Sequence, residues 1–152
     1  MRCLKKGDKQ VENASLRDQY VEVGIGNERY ALGIDEISEI IKMQEITTLP
    51  GSKSYVRGVI NLRGKIVPII SLRLRFFLPD EPDSKSTRIV VVNHADELVG
   101  IVVDRVNQVV RFAEIKQPPE RIGSVSGSYF SGIGHTDSGL VSILKLDQVL
   151  QD

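Results

Sequence analysis

Short apolar runs separated by turn residues fill the chain from Tyr20 onward. Residues 20–25 alternate apolar and polar side chains, which is the pattern of a half-buried strand. A predicted turn at 26–28 leads to a second strand at 29–34, so these two strands should form a hairpin. Similar runs predict further strands at 55–61, 65–73, 87–93, 97–104 and 139–147. Many short strands with Gly and Pro between them indicate an all-β barrel or sandwich.

The segment 35–41 is compatible with either a helix or a strand. Ile37, Ile40 and Ile41 fall at helical spacing and Asp35 is a good N-cap, which favours a short helix of one or two turns. Because β-branched Ile also suits a strand, a bent strand is the alternative. The segment 104–110 has the same ambiguity. One or two short helices are therefore expected within an otherwise all-β fold.

The pattern is repeated along the chain. Asp, Ile and Pro positions between 35 and 50 recur 69 positions later as Asp, Val or Ile, and Pro. Gly and apolar positions between 58 and 72 recur 74 positions later. Shared Asp, Gly and Pro positions in one order favour a duplication over a chance match of Val- and Ile-rich segments. A unit of about 70 residues is small for an independent core, so the two units should pack against each other.

Composition narrows the classes of function. A chain of 152 residues with 41% hydrophobic and 26% charged residues can bury the core of one domain, or of two very small ones. The 20 basic and 20 acidic residues cancel, whereas a nucleic-acid-binding protein normally has a basic excess. Aromatic residues, which stack on bases, make up only 5%. Charge and aromatic content therefore count against the alternative of a nucleic-acid-binding barrel.

Two segments look irregular. Residues 1–17 are polar without apolar periodicity and are predicted to be a flexible N-terminal tail ahead of a folded domain at 18–152. Residues 78–87 contain two prolines and are predicted to be a connecting loop. The single cysteine, Cys3, fits a reducing compartment, and no apolar run approaches the ~18 residues of a membrane helix. A cytoplasmic protein without membrane insertion is expected.

Motifs for catalysis or for cofactors are weak. His94 and His135 lie in different predicted loops, and metal sites usually need three or four convergent ligands. The phosphate-loop-like sequence G-S-K-S at 51–54 lacks a contiguous G-K-[ST] and precedes a strand. The S-x-x-K sequence at 142–145 lies in a predicted strand without its usual partner motifs. No cofactor, no metal and no enzymatic activity are expected.

The block from Gly58 to Leu72 reads G-V-I-N-L-R-G-K-I-V-P-I-I-S-L and predicts a strand, a turn and a second strand. Arg63 lies at the apex of the turn, and no acidic residue occurs within five positions on either side. A planar, permanently charged group on a rigid hairpin suits the binding of a partner. It does not suit catalysis, because no general base or nucleophile accompanies it.

The same block resembles the signature segment of the CheW family of chemosensory adaptors. The resemblance extends from about residue 20 to 150 and includes I-G-N-E-R-Y at 25–30, G-I-D-E-I-S-E-I at 33–40, L-V-G-I-V-V-D at 98–104 and Y-F-S-G-I-G at 129–134. It implies two pseudo-symmetric five-stranded SH3-like β-barrels with a groove between them. It also implies a non-enzymatic adaptor between methyl-accepting chemoreceptor tips and a CheA-type histidine kinase.

The resemblance further implies a set of receptor-binding residues, namely Ile37, Glu39, Arg63, Val106 and Val109. For the three aliphatic residues, simple core packing is the alternative, and Arg63 could be an ordinary exposed turn residue. Arg57 is the alternative anchor. Three glycines are expected to allow close backbone approach or bulges, namely Gly58, Gly100 and Gly132.

The kinase-binding surface is less defined. The resemblance implies a chain that is monomeric alone, pairs with the kinase through its barrels and takes part in receptor arrays. The pair Phe76-Phe77 is either a patch for this contact or the end of a core strand. Ser71 stands where the family often has an acidic residue, which could alter a local ion pair. Flagellar chemotaxis and a pilus or gliding pathway both remain open as the output.

Overall fold

The computed structural model of the protein describes residues 19–122 and 125–151, so the predicted tail at 1–17 lies outside the described residues. Most of these residues belong to strands, which are, in chain order, β1 (Gln19–Ile25), β2 (Glu28–Gly33), β3 (Ile37–Lys42), β4 (Val56–Leu62), β5 (Lys65–Ser71), β6 (Arg88–His94), β7 (Glu97–Val103), β8 (Arg105–Arg111), β9 (Ile115–Lys116), β10 (Arg121–Ile122), β11 (Val125–Ser126), β12 (Phe130–Thr136) and β13 (Gly139–Leu144). The helices are short, namely α1 (Leu72–Arg75), α2 (Leu146–Val149) and 3-10 turns at Ile34–Glu36 and Gly127–Tyr129.

The strands form two large sheets and one small one. The six-stranded sheet has the order β8-β1-β2-β13-β12-β9, and the five-stranded sheet has the order β3-β6-β7-β5-β4. Strands β10 and β11 form a separate two-stranded sheet. The predicted all-β fold with one or two short helices and two similar halves is confirmed. The two large sheets have six and five strands, whereas five strands were expected in each. Among the described residues, strand pairing closes neither sheet into a complete barrel.

Each large sheet nevertheless curls until its two edges approach each other. Thr47, which follows β3 at one edge, exchanges two backbone hydrogen bonds of 2.9 Å with Val59 of β4 at the other edge. Similarly, β9 follows β8 at one edge and pairs with β12 at the other. We call the gap between such edges a seam. The five-stranded seam lies between β3 and the turn at 63–64, and the six-stranded seam lies between β8 and the turn at 137–138.

The predicted repeat is visible in these elements, but neither large sheet is built from a single repeat. Strands β1 and β2 recur 69 positions later as β6 and β7, and β4, β5 and α1 recur 74 positions later as β12, β13 and α2. The six-stranded sheet combines the β1–β2 hairpin of the first repeat with strands of the second. The five-stranded sheet combines the β6–β7 hairpin of the second repeat with strands of the first. The two copies therefore exchange their hairpins.

The largest core cluster lies between the two sheets. It joins residues of β1 and β2, including Val23 and Leu32, to residues of β6 and β7, including Val92 and Ile101. Smaller clusters fill the inside of each curled sheet, one around Ile69 in the five-stranded sheet and the other around Ile143, Val141 and Ala31 in the six-stranded sheet. Each large aliphatic side chain buried in this way contributes about 1.5–3 kcal/mol. Packing between the sheets fixes their relative position.

Residues that follow or end α1 in the first repeat also pack against the C-terminal part of the second repeat. Phe76, which is fully buried after α1, contacts the rings of Tyr30, Tyr129 and Phe130. Arg75 lies over the rings of Tyr55 and Tyr129 and donates hydrogen bonds to carbonyl oxygens at the end of α2, at 2.8 Å to Val149 and 2.7 Å to Gln151. Because carbonyl groups at a helix end lack partners within the helix, these contacts stabilise α2.

The favoured helix at 35–41 is wrong. The chain makes a 3-10 turn at Ile34–Glu36 and then forms β3, which pairs with β6 along its length. Pairing and the strand preference of Ile outweigh the helical spacing of the three isoleucines. The related segment is strand β8, paired with β1. The alternative of a bent strand describes β3 well, because its register shifts between Ile37 and Glu39.

Strand β1 also differs from the prediction of a half-buried strand. Its residues from Val21 to Ile25 are buried on both faces, because one face meets the core between the sheets and the other faces the inside of the six-stranded sheet. Glu22, on the predicted polar face, is only 2% exposed. A carboxylate inside a sheet requires hydrogen-bond partners.

Candidate partner-binding surface

The β4–β5 hairpin places Arg63 at its apex. Arg63 and Gly64 form a two-residue loop in which both residues have left-handed backbone conformations, with φ of 52° and 88°. This is the arrangement of a type I′ turn, whose twist matches that of the paired strands. The side chain of Asn61 fixes the loop by accepting a hydrogen bond of 2.8 Å from the backbone N–H of Gly64. The guanidinium group therefore projects from a defined hairpin.

Arg63 forms an ion pair with Glu39 across the five-stranded seam. Both terminal nitrogens of Arg63 face the carboxylate, one at 3.3 Å from Oε1 and the other in hydrogen-bond contact with Oε2. The hydrogen bond and the charge of Glu39 raise the pKa of Arg63. The Arg63 side chain is 68% exposed and that of Glu39 27%. No acidic residue near Arg63 in the sequence could pair with it, and its acidic partner is instead Glu39, 24 positions earlier.

The edge strands present the other candidate residues at equivalent bulges. In β3, Ile37 lies opposite Val92 and Glu39 opposite Val91, so Ser38 is the extra residue. Ile37 is half-buried against the core between the sheets. The equivalent bulge in β8 has Asn107 as its extra residue, between Val106 and Gln108. The same backbone device therefore shapes both edges.

The structure brings some of the five predicted residues together and separates others. Glu39 and Arg63 are in contact. Ile37 and Val106 lie on different sheets, yet both pack against the core between the sheets. Val109 is 56% exposed and projects from the six-stranded sheet. The result is a charged pair at one seam and an exposed aliphatic side chain at the other edge strand.

The three glycines lie where side chains have no room. A Cβ atom on Gly58, which has a φ of 143°, would be 2.0 Å from the carbonyl oxygen of Thr47. The equivalent Gly132 would place its Cβ 2.6 Å from Ile115. Both glycines follow register shifts in their strand pairs. A Cβ on Gly100 would be 2.5 Å from Ile69. These positions require a glycine for close approach of the chain.

Two other candidates from the sequence have defined surroundings. Arg57, the alternative anchor, forms an ion pair with Asp83 through contacts of 3.1 and 3.2 Å. The pair Phe76-Phe77 is divided, because Phe76 belongs to the core whereas Phe77 is 78% exposed. Phe77 has a φ of 60°, a conformation that bulky residues rarely adopt. The two rings therefore do not form one patch.

Sequence reasoning missed two features of this surface. One is the buried Glu22, whose signal was a single charge inside an otherwise apolar strand. The other is the placement of exposed aliphatic side chains at equivalent positions of the two repeats, namely Ile40 with Val109 and Ile66 with Leu140. Following the repeat at its offsets of 69 and 74 positions would have found the second feature.

The edges of the two sheets offer groups that can bind a partner. Within the described part of the chain, no group of three or more His, Cys, Asp and Glu side chains could hold a metal ion. His94 instead lies 3.5 Å from Asp147. No helix among the residues described by the structure is long and apolar enough to cross a membrane. An ion pair and aliphatic side chains at the sheet edges can recognise a protein partner.

Two packed β-sheets built from a duplicated sequence, which present an ion pair and aliphatic side chains at their edges, define a β-sheet scaffold domain. The family model described as CheW-like domain matches residues 19–152. The chain belongs to the CheW family, which is a family of scaffolding proteins rather than enzymes.

Individual relatives agree with this assignment. The chemotaxis protein CheW of Helicobacter pylori is 39% identical over 147 residues, which covers 95% of this chain and 88% of the relative. The chemotaxis protein CheW of Klebsiella aerogenes is 31% identical over 138 residues, which covers 90% of this chain and 83% of the relative. The crystal structure of the scaffolding protein TtCheW from Thermoanaerobacter tengcongensis is similar with a TM-score of 0.83 and 32% identity, covering 90% of this chain and 89% of that one.

Proposed function

We propose that this protein is a cytoplasmic, non-enzymatic adaptor that couples the signalling tips of methyl-accepting chemoreceptors to a CheA-type histidine kinase. The observation that carries the proposal is the match of the CheW-like family model over residues 19–152. The fold supports it, because two packed sheets provide several separate edges for different partners. In this function the protein links its partners and turns over no substrate.

The receptor-binding surface in this proposal consists of Ile37, Glu39, Arg63, Val106 and Val109. A receptor tip made of a helical hairpin would place its apolar face against the aliphatic residues. Glu39 and Arg63 would then exchange part of their mutual ion pair for polar groups of the receptor. Such an exchange is energetically easy, because water and salt screen an exposed ion pair and its net contribution to stability is small.

The kinase would bind another surface of the adaptor. Because the exposed aliphatic residues occur at equivalent positions in the two repeats, a kinase domain with a related fold could pair with the adaptor in a pseudo-symmetric manner. Ile66 and Leu140 are the most exposed aliphatic residues of β5 and β13 and provide first positions for mutagenesis.

The test is a reconstitution with a receptor cytoplasmic fragment and a CheA-type kinase, in which complex formation and kinase autophosphorylation are both measured. We expect the wild-type protein to assemble the complex and to change the rate of autophosphorylation. Arg63→Ala should weaken receptor binding about tenfold, because a planar charged donor is lost from the contact. Its melting temperature should stay close to that of the wild type.

Arg57→Ala is the matched control, since it removes an arginine that is also ion-paired and partly exposed. It should retain coupling, and a loss confined to Arg57→Ala would transfer the anchor to that residue. Failure of the wild-type protein to bind receptor or kinase from flagellar, pilus or gliding pathways would contradict the proposed function. Binding to DNA or RNA at low salt would instead support the nucleic-acid alternative.

A further inference from the structure

The inside of the six-stranded sheet contains a carboxylate where the other sheet has a valine. Glu22 of β1 corresponds to Val91 of β6, since β6 repeats β1 after 69 positions. Val91 is fully buried in the small cluster inside the five-stranded sheet. Glu22 is 2% exposed and lies opposite Ala31, which belongs to the matching cluster of the six-stranded sheet. A buried carboxylate is unfavourable unless defined contacts compensate for lost hydration.

Those contacts come from the bulge of β8. The side-chain amide of Asn107 donates a hydrogen bond of 2.7 Å to Oε2 of Glu22, and that of Gln108 lies 3.4 Å from Oε1. Asn107 is the extra residue of the bulge, and Gln108 is the residue opposite Glu22. Val106 and Val109 directly flank these two amides. Glu22 therefore contacts the segment that carries the second half of the proposed receptor surface.

A third contact continues toward the opposite side of the seam. The guanidinium group of Arg29 lies 4.0 Å from Oε2 of Glu22. Arg29 also donates hydrogen bonds to Ser138, at 2.5 Å to the hydroxyl oxygen and 2.7 Å to the backbone carbonyl oxygen. Ser138 belongs to the β12–β13 turn, which corresponds to the turn of Arg63 and Gly64. The contacts thus connect the bulge of β8 with this turn.

The five-stranded sheet makes the same connection directly. There, Glu39 at the bulge of β3 forms an ion pair with Arg63 at the turn. The corresponding residues of the six-stranded sheet are Gln108 and Asp137, which line one cleft of about 550 Å³ between β8 and the turn. An amide and a carboxylate cannot form an ion pair, and the connection runs through Glu22 and Arg29 instead.

We propose that Glu22 is a positioning residue for the Val106–Val109 half of the receptor-binding surface, and that it acts together with Arg29. The pair connects edge strand and turn inside the six-stranded sheet, as the more exposed Glu39–Arg63 ion pair does at the seam of the five-stranded one. This inference rests on the proposed function only where it assigns Val106 and Val109 to the receptor contact. The effect on the shape of β8 can be measured without any partner.

The main variant is Glu22→Val, which copies the residue of the other repeat. We expect amide hydrogen exchange in β8 to become about tenfold faster relative to β3, because a charge-assisted hydrogen bond to the bulge is lost. The affinity for a receptor cytoplasmic fragment should fall about tenfold for the same reason. Ile69→Val, a buried substitution inside the other sheet, is the control. It should leave hydrogen exchange in β8 and the affinity for the receptor fragment unchanged.

A rescue distinguishes positioning from a general loss of stability. The triple variant Glu22→Val, Gln108→Glu and Asp137→Arg provides the six-stranded seam with the direct ion pair of the other seam. It should restore β8 exchange and receptor affinity to within about threefold of the wild type. If Glu22→Val fails to fold, the isosteric Glu22→Gln, which keeps the shape but loses the charge opposite Arg29, is measured in the same way.

Two results would overturn the inference: unchanged β8 exchange and receptor affinity in the Glu22 variants, or a triple variant no better than Glu22→Val. If the wild-type protein does not bind the receptor fragment at all, that result would contradict the proposed function instead. In that case, β8 exchange still decides whether Glu22 shapes the edge strand.

Discussion

Helices α1 and α2 occupy equivalent positions in the two repeats, and each lies near an aspartate of the other repeat. The two places differ in the charge of the helix residue. On one side, Arg73 of α1 donates to Asp104 through contacts of 3.0 and 2.5 Å, and the N–H of Gly26 donates to the same carboxylate at 2.7 Å. On the other side, the equivalent positions carry Asp147 and Asp35, which line one cavity of about 220 Å³. The positions that form a salt bridge in one copy thus carry two acidic residues in the other.

This difference has opposite effects on the acidic side chains. Burial tends to raise the pKa of Asp104, but the hydrogen bonds from Arg73 and Gly26 outweigh burial and lower it. Near Asp147, burial is the main cause that raises the pKa of Glu36, with smaller contributions from Asp35 and Asp147, while His94 and the N–H of Gly33 lower it. Duplicated apolar positions preserve the fold, whereas charged positions are free to diverge.

The largest expected difference between the copies concerns packing. Phe76 is fully buried, whereas the equivalent Leu150 is only partly buried against the same core. Phe76→Ala should lower the free energy of unfolding by about 3–5 kcal/mol, through lost contacts and a cavity. Leu150→Ala should lower it by about 1–2 kcal/mol. Urea unfolding of both variants checks this, and equal losses would contradict an uneven core.

A smaller difference is expected for Asp104→Asn. Because the folded protein lowers the pKa of Asp104, its carboxylate stabilises the fold above its unfolded pKa of about 3.9, and this contribution is lost as the pH falls through the folded pKa. The variant should therefore be about 1 kcal/mol less stable at pH 7. The deficit should shrink below pH ~4. A deficit that persists unchanged in acid would mean that packing is responsible.

Glu36→Gln should show the opposite dependence. Because the folded protein raises the pKa of Glu36, protonation favours the fold, and this advantage is lost as the pH rises through the folded pKa. The neutral variant should therefore be slightly more stable than the wild type at pH 7, by about 0.5 kcal/mol. The gain should vanish in acid. Urea unfolding at both pH values measures it, and a loss of stability at pH 7 would contradict the assignment.

The smallest expected effect concerns two equivalent turns. Ala95 has a φ of 52° and stands where the other repeat has Gly26, with a φ of 58°. Ala95→Gly removes about 1–2 kcal/mol of left-handed strain but adds chain entropy, for a net gain of about 0.5 kcal/mol. In the 95–96 turn both residues have a positive φ, with 65° at Asp96, whereas Gly26 is the one residue of the 26–27 turn that does. Gly26→Ala is therefore a related change in the reverse direction, and it should destabilise the protein because it adds a Cβ at a positive φ. Thermal unfolding of the pair provides the measurement, and equal signs would contradict the explanation.

Local patterns were sufficient where one strand follows the next. The β1–β2 and β4–β5 hairpins agree with alternation and with turns at Gly26 and Gly64. The isoleucines at 37, 40 and 41 suggested a helix because their spacing fits one. Pairing with β6 in a bulged register instead placed Ile37 against the core between the sheets and Ile41 against the cluster inside the five-stranded sheet, and left Ile40 exposed. A pattern within a single segment cannot include the strand that will lie beside it.

Contacts between residues far apart in the sequence were beyond the reach of local patterns. The partner of Arg63 comes from β3, because curling of the five-stranded sheet brings its two edges together. The partners of Glu22 come from β8, which pairs with β1 although it lies about 85 positions away. The candidate residues Glu39 and Arg63 were named from a family resemblance, but their mutual ion pair was not foreseen. The exchange of hairpins between repeats was equally hidden, because either pairing satisfies the same apolar pattern.

That exchange makes the two repeats inseparable. A cut in the loop at 78–87 would yield one fragment that contributes β1 and β2 to one sheet and β3 to β5 to the other, and a second fragment with the complementary strands. Neither fragment contains a complete sheet, so each should be unfolded alone and should regain the fold only when the two are mixed. The protein is in this sense a dimer that has been joined into one chain, and the joint at 78–87 is the only covalent link between its two members.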